Sequence, residues 1–141
     1  MSVKVRVRRL HPAARLPERQ SAGAAGHDIY AVEDMLVPAR GRALVRTGIA
    51  LAIPAGFEGQ VRPRSGLALR YGVRAHFGTI DSDYRGELQV LLHNDAAEDY
   101  KVQAGDRIAQ LVIAPVAAAE FLESELDPTQ RGEGGFGHTG S

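Results

Sequence analysis

The chain has 141 residues, enough for one domain with one core, and its apolar and charged fractions, 44% and 24%, are those of an ordinary globular protein. Lysine plus arginine equals aspartate plus glutamate at 17 each, so the net charge is zero and nothing suggests the basic footprint of a nucleic-acid binder. The lack of cysteine excludes disulfides and thiolate chemistry, and no segment approaches the ~20 apolar residues of a membrane span or the apolar run of a secretory signal, so a cytoplasmic protein is expected.

In chain order, the first expected strand lies in MSVKVRVRRL, where Val3, Val5 and Val7 alternate with Lys4, Arg6 and Arg8. A proline-bearing loop leads to a short strand in HDIYAVED. RALVRTGIALAIP and GFEGQVRPR follow, then GELQVLLHN and DRIAQLVIAPV, each rich in Val, Ile and Leu and bounded by Gly, Pro, Asn or Asp. Only SGLALRYG reads as helical, about two turns capped by Ser65 and ended by Gly72. Many short strands with one small helix predict an all-β jelly-roll-like barrel or sandwich. Residues 1–127 form this single β domain. Residues 128–141 form a glycine-rich arm, mobile in isolation, because RGEGGFGHTGS is nearly half glycine and can bury little surface.

Several segments carry more chemistry than scaffolding needs. In GTIDSDYRGE, Asp81 can hold a water and accept its proton, Tyr84 can offer a ring face to a sugar-like ligand, and Arg85 can pair with Glu87 to fix the turn. A hairpin loop whose Asp side chains bond their own backbone is the plain alternative. In PRSGLA, the Arg64 guanidinium, the Ser65 hydroxyl and free amides at a helix start suit phosphate oxygens, although an ordinary N-cap reads the same way. In AGHDIYA, one carboxylate, Asp28, suffices for Mg²⁺ if a triphosphate supplies the other oxygens. GDRIAQL, taken alone, is a turn followed by a strand carrying Gln110. The histidines His11, His27, His76, His93 and His138 show no metal-ligand spacing and read as surface or turn residues, which argues against a zinc enzyme. In the terminal arm, Phe136 among glycines beside Arg131 suits a lid as well as a plain tail.

Together, AGHDIYA, RSGLA, GTIDSDYRGE, GDRIAQL and RGEGGFGHTG resemble, in order and spacing, the five motifs of the homotrimeric dUTP pyrophosphatase (dUTPase) family. The resemblance runs from about Ala25 to Gly140. It implies a β jelly roll, three chains sharing three interfacial sites, and Mg²⁺-assisted hydrolysis of dUTP to dUMP and pyrophosphate. It implies that Asp81 activates water at the α-phosphorus and that Tyr84 lies under the deoxyribose, excluding a 2′-hydroxyl. Asp28 reaches Mg²⁺ through water, while Arg64, Ser65, Gly66 and Gln110 hold the phosphate chain. Arg131 grips the γ-phosphate and Phe136 stacks on uracil, with Gly137, His138 and Thr139 closing the arm. Two positions depart from the pattern. Ala75 stands where many relatives carry Asn, leaving backbone groups of the Gly78 hairpin to read uracil. His138 replaces the usual serine and can still donate to a phosphate oxygen. The alternatives are a dCTP deaminase-like enzyme of the same fold, against which Asp81 speaks, and a non-catalytic nucleotide-binding trimer.

Overall fold

The computed structural model describes residues 2–137. Ten strands and one helix follow in order: β1 (Arg6–Arg9), β2 (His27–Tyr30), β3 (Met35–Val37), β4 (Arg42–Ala52), β5 (Phe57–Arg62), α1 (Ser65–Tyr71), β6 (Val73–Ala75), β7 (Gly78–Ile80), β8 (Glu87–Asn94), β9 (Tyr100–Val102) and β10 (Arg107–Pro115). They pair into two four-stranded sheets, β1-β4-β8-β6 and β2-β10-β5-β7, and a small β3-β9 ribbon, every pair antiparallel. The sheets form a sandwich and do not close into a barrel, so of the two expected architectures the sandwich is the one that forms.

Alternation along the strands decides which side chains enter the core. On β8, Leu88, Val90, Leu92 and Asn94 are buried while Gln89 is exposed; β4 supplies Val45, Thr47, Ile49 and Leu51. Val61 on β5, Ile108 and Leu111 on β10 and Ile80 on β7 complete one continuous apolar cluster. Each such side chain contributes roughly 1.5–3 kcal/mol relative to exposure. A register shift between Arg46 and Ala50 bulges β4, and the Thr47 hydroxyl there donates to the Leu88 carbonyl.

The long expected strands are all present, but β1 starts at Arg6 rather than Val3. The valine alternation survives ahead of it, with Val3, Val5 and Val7 half-buried and their basic neighbours exposed. Strands β3, β6, β7 and β9 were not legible in the sequence, since three residues carry too little period to register. The helix spans the expected residues with a different cap. Arg64 takes the N-cap position with no side-chain bond, so Ser65 is the first helical residue and its hydroxyl is exposed. Gly72 ends the helix in the left-handed region at φ 69°, its N–H donating to the Ala68 carbonyl at 2.9 Å.

Asn94, 1% exposed, knits the end of β8 to two loops. Its side-chain nitrogen donates to the carbonyls of Val37 (3.1 Å) and Glu98 (2.8 Å), and its oxygen accepts from the Ala96 N–H (2.9 Å). Asn94→Ala strands these groups and is expected to lower unfolding stability by about 2–4 kcal/mol in urea titration.

Candidate active site

Antiparallel pairing places β10 between β2 and β5, with Gln110 opposite Asp28 on one side and Arg62 on the other. The first cluster assembles around that row. Asp28 is 8% exposed, and its carboxylate lies 3.7 Å from the Arg64 Nε and 3.5 Å from the Arg107 Nη1, while Gln20 Nε2 donates to it at 2.8 Å. Arg64 Nη1 also donates to the Arg107 carbonyl at 3.3 Å. Gln110 Nε2 donates to the Pro63 carbonyl at 2.9 Å, tying β10 to the segment that opens α1. A Cβ built on Gly26 would stand 2.2 Å from Gln110 Oε1, so only glycine lets the loop before β2 approach that amide. Asp28, Arg64 and Gln110, distant in sequence, are thus neighbours, with Ser65 and Gly66 following directly at the start of α1. Arg107, which the sequence reading left unassigned, belongs to the cluster as a second guanidinium on Asp28; only its place in the GDRIAQL segment could have hinted at it.

The second cluster lies at the opposite edge of the same sheet, on β7 and the loop after it. A cavity of about 260 Å³ is lined by Val61, Gly78, Thr79, Asp81, Tyr84 and Glu87, among others. The Asp81 carboxylate is exposed and makes no hydrogen bond or ion pair among the described residues; the turn is held instead by the Tyr84 N–H on the Asp81 carbonyl, at 3.1 Å. The Tyr84 hydroxyl donates to the Glu87 carbonyl at 2.9 Å, which lays the ring back over Gly86. A Cβ on Gly86 would fall 2.4 Å from that hydroxyl. The expected Arg85–Glu87 pair does not form. Arg85 donates to the carbonyls of Ser82 and Tyr84, and Glu87 instead accepts from Arg46 Nε (3.1 Å) and the Gly48 N–H (2.9 Å), anchoring the loop to the bulge of β4. Ala75 is 2% exposed and its methyl packs in the core cluster, so on this chain its side chain does not line the cavity.

Strands β2 and β7, one carrying Asp28 and the other leading into the Asp81 loop, are separated across the sheet by the three spacings of β2-β10-β5-β7, roughly 14 Å at 4.7–4.9 Å per step. Beyond β10 the described residues, 116–137, form no helix or strand. Val116 N–H reaches the Gly56 carbonyl at 2.9 Å, and then Phe121, Leu122 and Leu126 stand exposed. Arg131 turns inward on its own segment, its Nε donating to the Gly134 carbonyl at 2.6 Å, and Phe136 is fully exposed with a left-handed φ of 50°. Arg131, Phe136 and Gly137 are therefore not brought to either cluster within one chain, and His138 and Thr139 lie outside the described residues.

The reading of the histidines as surface or turn residues holds for His76, which is exposed between β6 and β7, but not for His93. His93 is a half-buried residue of β8, and its Nε2 lies 3.0 Å from Nδ1 of His76, which follows β6. Burial, then the Arg74 guanidinium, the His76 ring and the Arg42 guanidinium, lower the proton affinity of His93, with Asp95 opposing them.

A β sandwich with a guanidinium-flanked carboxylate at one sheet edge and a free carboxylate beside an aromatic face at the other is a protein equipped to grip a polyanion and hold water against it. Comparison with known proteins makes the class specific. A sequence model of dUTPase matches residues 13–140. The deoxyuridine 5′-triphosphate nucleotidohydrolase of Wolinella succinogenes is 55% identical, covering 98% of this chain and 95% of its own, and that of Syntrophotalea carbinolica is 57% identical, covering 99% and 98%. The dUTPase of Staphylococcus bacteriophage 80alpha, solved with dUPNHPP, superposes with a TM-score of 0.93 at 29% identity over 98% of this chain and 99% of its own. A variant dUTPase of phage phi11 of S. aureus, in which a structural Mg(II) ion is coordinated, gives a TM-score of 0.82 at 28% identity, covering 87% and 97%. The chain belongs to the dUTPase family.

Gly86→Ala is expected to fold yet break the Tyr84–Glu87 hydrogen bond, because the added methyl and the ring cannot share one place; a crystal structure of the variant would show the ring displaced. His93 holds its proton less tightly folded than unfolded, so its contribution is fully present above its ordinary value of 6.5 and is lost as pH falls below it. Urea titrations from pH 7.5 to 5 should accordingly show a shallower fall in stability for His93→Gln than for the parent chain.

Proposed function

We propose that the protein hydrolyses dUTP to dUMP and pyrophosphate, with Asp81 as the catalytic residue that orients the attacking water and accepts its proton at the α-phosphorus. The observation that carries this reading is the unpaired Asp81 carboxylate on a cavity whose wall includes the fixed Tyr84 ring. Phosphoryl transfer asks mainly for positioning and charge neutralisation, so one oriented water and a set of phosphate-holding groups suffice. The Tyr84 ring, held down by its hydroxyl, packs under the deoxyribose and leaves no space for a 2′-oxygen. Backbone groups of the Gly78 hairpin read uracil, since Ala75 turns its methyl to the core.

Arg64, Ser65, Gly66 and Gln110 hold the phosphate chain. Among the described residues no three or more His, Cys, Asp or Glu side chains converge, which suits Mg²⁺, an ion that keeps most of its water and takes one or two protein carboxylates. Asp28 would hold it through a water, and the bound ion supplies charge neutralisation on the triphosphate. In the free chain, Asp28 is held by Arg64, Arg107 and Gln20, which keep its carboxylate oriented for that contact.

The assembly is a homotrimer with shared sites. About 14 Å between β2 and β7 leaves neither cluster complete on one chain, so the Asp81 edge of one copy meets the Arg64 edge of another. The exposed Phe121, Leu122 and Leu126 are apolar surface that a neighbouring copy covers. Residues 1–127 act as the β domain and 128–141 as the closing arm, in which Arg131 grips the γ-phosphate, Phe136 stacks on uracil, and Gly137, His138 and Thr139 complete the phosphate contacts.

The test is pyrophosphate release with Mg²⁺ from dUTP, beside dCTP, dTTP and UTP. Turnover of dUTP alone is expected, and Asp81→Asn should lower kcat by about 10²–10⁴-fold with KM little changed. Unchanged turnover in Asp81→Asn removes the proposed role of Asp81, ammonia release from dCTP points to deamination, and binding without turnover of any nucleotide points to a signalling protein.

A further inference from the structure

The His76–His93 pair lies outside both clusters, and nothing in the nucleotide chemistry uses it. His93 occupies the interior strand β8, opposite Arg42 of β4 and Arg74 of β6, so its backbone is paired on both sides. His76 follows β6 directly, and its N–H donates to the Leu91 carbonyl at 2.8 Å. Both imidazoles therefore project from fixed backbone. Their facing nitrogens, Nδ1 of His76 and Nε2 of His93, are 3.0 Å apart, with ring centroids separated by 5.2 Å and planes inclined by 42°.

We propose that His76 and His93 form a two-imidazole site for a first-row transition-metal cation of the Cu²⁺, Ni²⁺ or Zn²⁺ class. With metal–nitrogen bonds of about 2.0–2.1 Å, two ligating nitrogens stand roughly 2.9 Å apart at a right angle and roughly 3.3 Å apart at a tetrahedral angle. The observed separation falls between these; in the free chain the two nitrogens share a hydrogen bond, which an entering ion replaces by drawing both lone pairs onto itself. No redox step or net proton change is needed. A neutral imidazole ligates through one nitrogen while its proton sits on the other, so His76 binds as the Nε2–H tautomer and His93 as the Nδ1–H tautomer.

The surroundings set which ion is taken. Among the described residues no third His, Cys, Asp or Glu completes the set, so water fills the remaining positions and two nitrogen bonds carry the affinity. Arg74 is offset by Asp95 at 3.4 Å, while Arg42, in the same cross-strand row, has no ion-pair partner among the described residues and repels a dication. Hard cations gain little from imidazole and do not overcome that repulsion, whereas Cu²⁺, Ni²⁺ and Zn²⁺ do. A bound ion would fasten residue 76 to β8, one residue before Phe77 and two before the Gly78 hairpin.

The experiment is calorimetric titration of the untagged, full-length protein with Zn²⁺ in millimolar Mg²⁺, repeated with His76→Ala and His93→Ala after circular dichroism confirms that each is folded. One Zn²⁺ per chain is expected for the parent protein, lost in both variants, with Cu²⁺ giving tighter binding at the same stoichiometry. His76 is exposed, so its variant should fold even if His93→Ala does not. No Zn²⁺ uptake by the parent chain overturns the proposal, as does uptake that persists at equal affinity in His76→Ala.

Discussion

Strand β10 is paired on both sides, to β2 through Arg107–Leu111 and to β5 through Gln110–Pro115, and the two pairings overlap at Gln110 and Leu111. That double pairing sets the distances around Asp28. It fixes Asp28 opposite Gln110, brings Arg107 onto the Asp28 carboxylate, and lets the Gln110 amide hold the Pro63 carbonyl so that Arg64 reaches the same acid. A one-residue slip of β10 would turn Ile108 and Leu111 out of the core, so the apolar packing and the position of the charged cluster are secured by the same register.

The opposite edge is organised differently. There the backbone turn is short, and side chains do the fixing: the Tyr84 hydroxyl closes on the Glu87 carbonyl while the Glu87 carboxylate is bound to Arg46 and to the Gly48 amide in the bulge of β4. The loop is thereby anchored to the other sheet of the sandwich, with the Asp81 carboxylate unpaired among the described residues and lining the cavity beside a ring held by its hydroxyl. Rigidity around an unpaired acid is what a water-orienting group needs, since misplacement by about 1 Å can cost 10²-fold in rate.

How much of this the sequence discloses depends on length scale. Strands β4, β8 and β10 are legible because each is a run of eight or more residues rich in Val, Ile and Leu between turn residues, and β8 alternates in burial along its whole length. The segments bearing Asp28, Arg64, Asp81 and Gln110 are legible through their joint order and spacing, since GDRIAQL taken alone reads as a turn and a strand. What escapes is whatever depends on pairing across strands. The Arg46–Glu87 ion pair joins residues 41 apart, so the nearer Arg85 looked the natural partner. His76 and His93 are separated by 17 residues and meet because β6 lies beside β8, a neighbourhood with no local signature. The cap of α1 was misread for a subtler reason: Ser65 is a good capping residue, but the Gln110 contact to Pro63 and the Arg64 contacts to β10 and Asp28 set where the turn begins.

The close approach of Gly26 to Gln110 carries a consequence for how such a chain can change over time. The two positions are far apart in sequence yet occupy one volume, so their mutational histories are joined. A side chain gained at 26 obliges the Gln110 amide to move, and with it the hold on the Pro63 carbonyl beside Arg64; shortening 110 releases that carbonyl as well. Either single step loosens the same corner. Change here is therefore easiest when 26 and 110 change together.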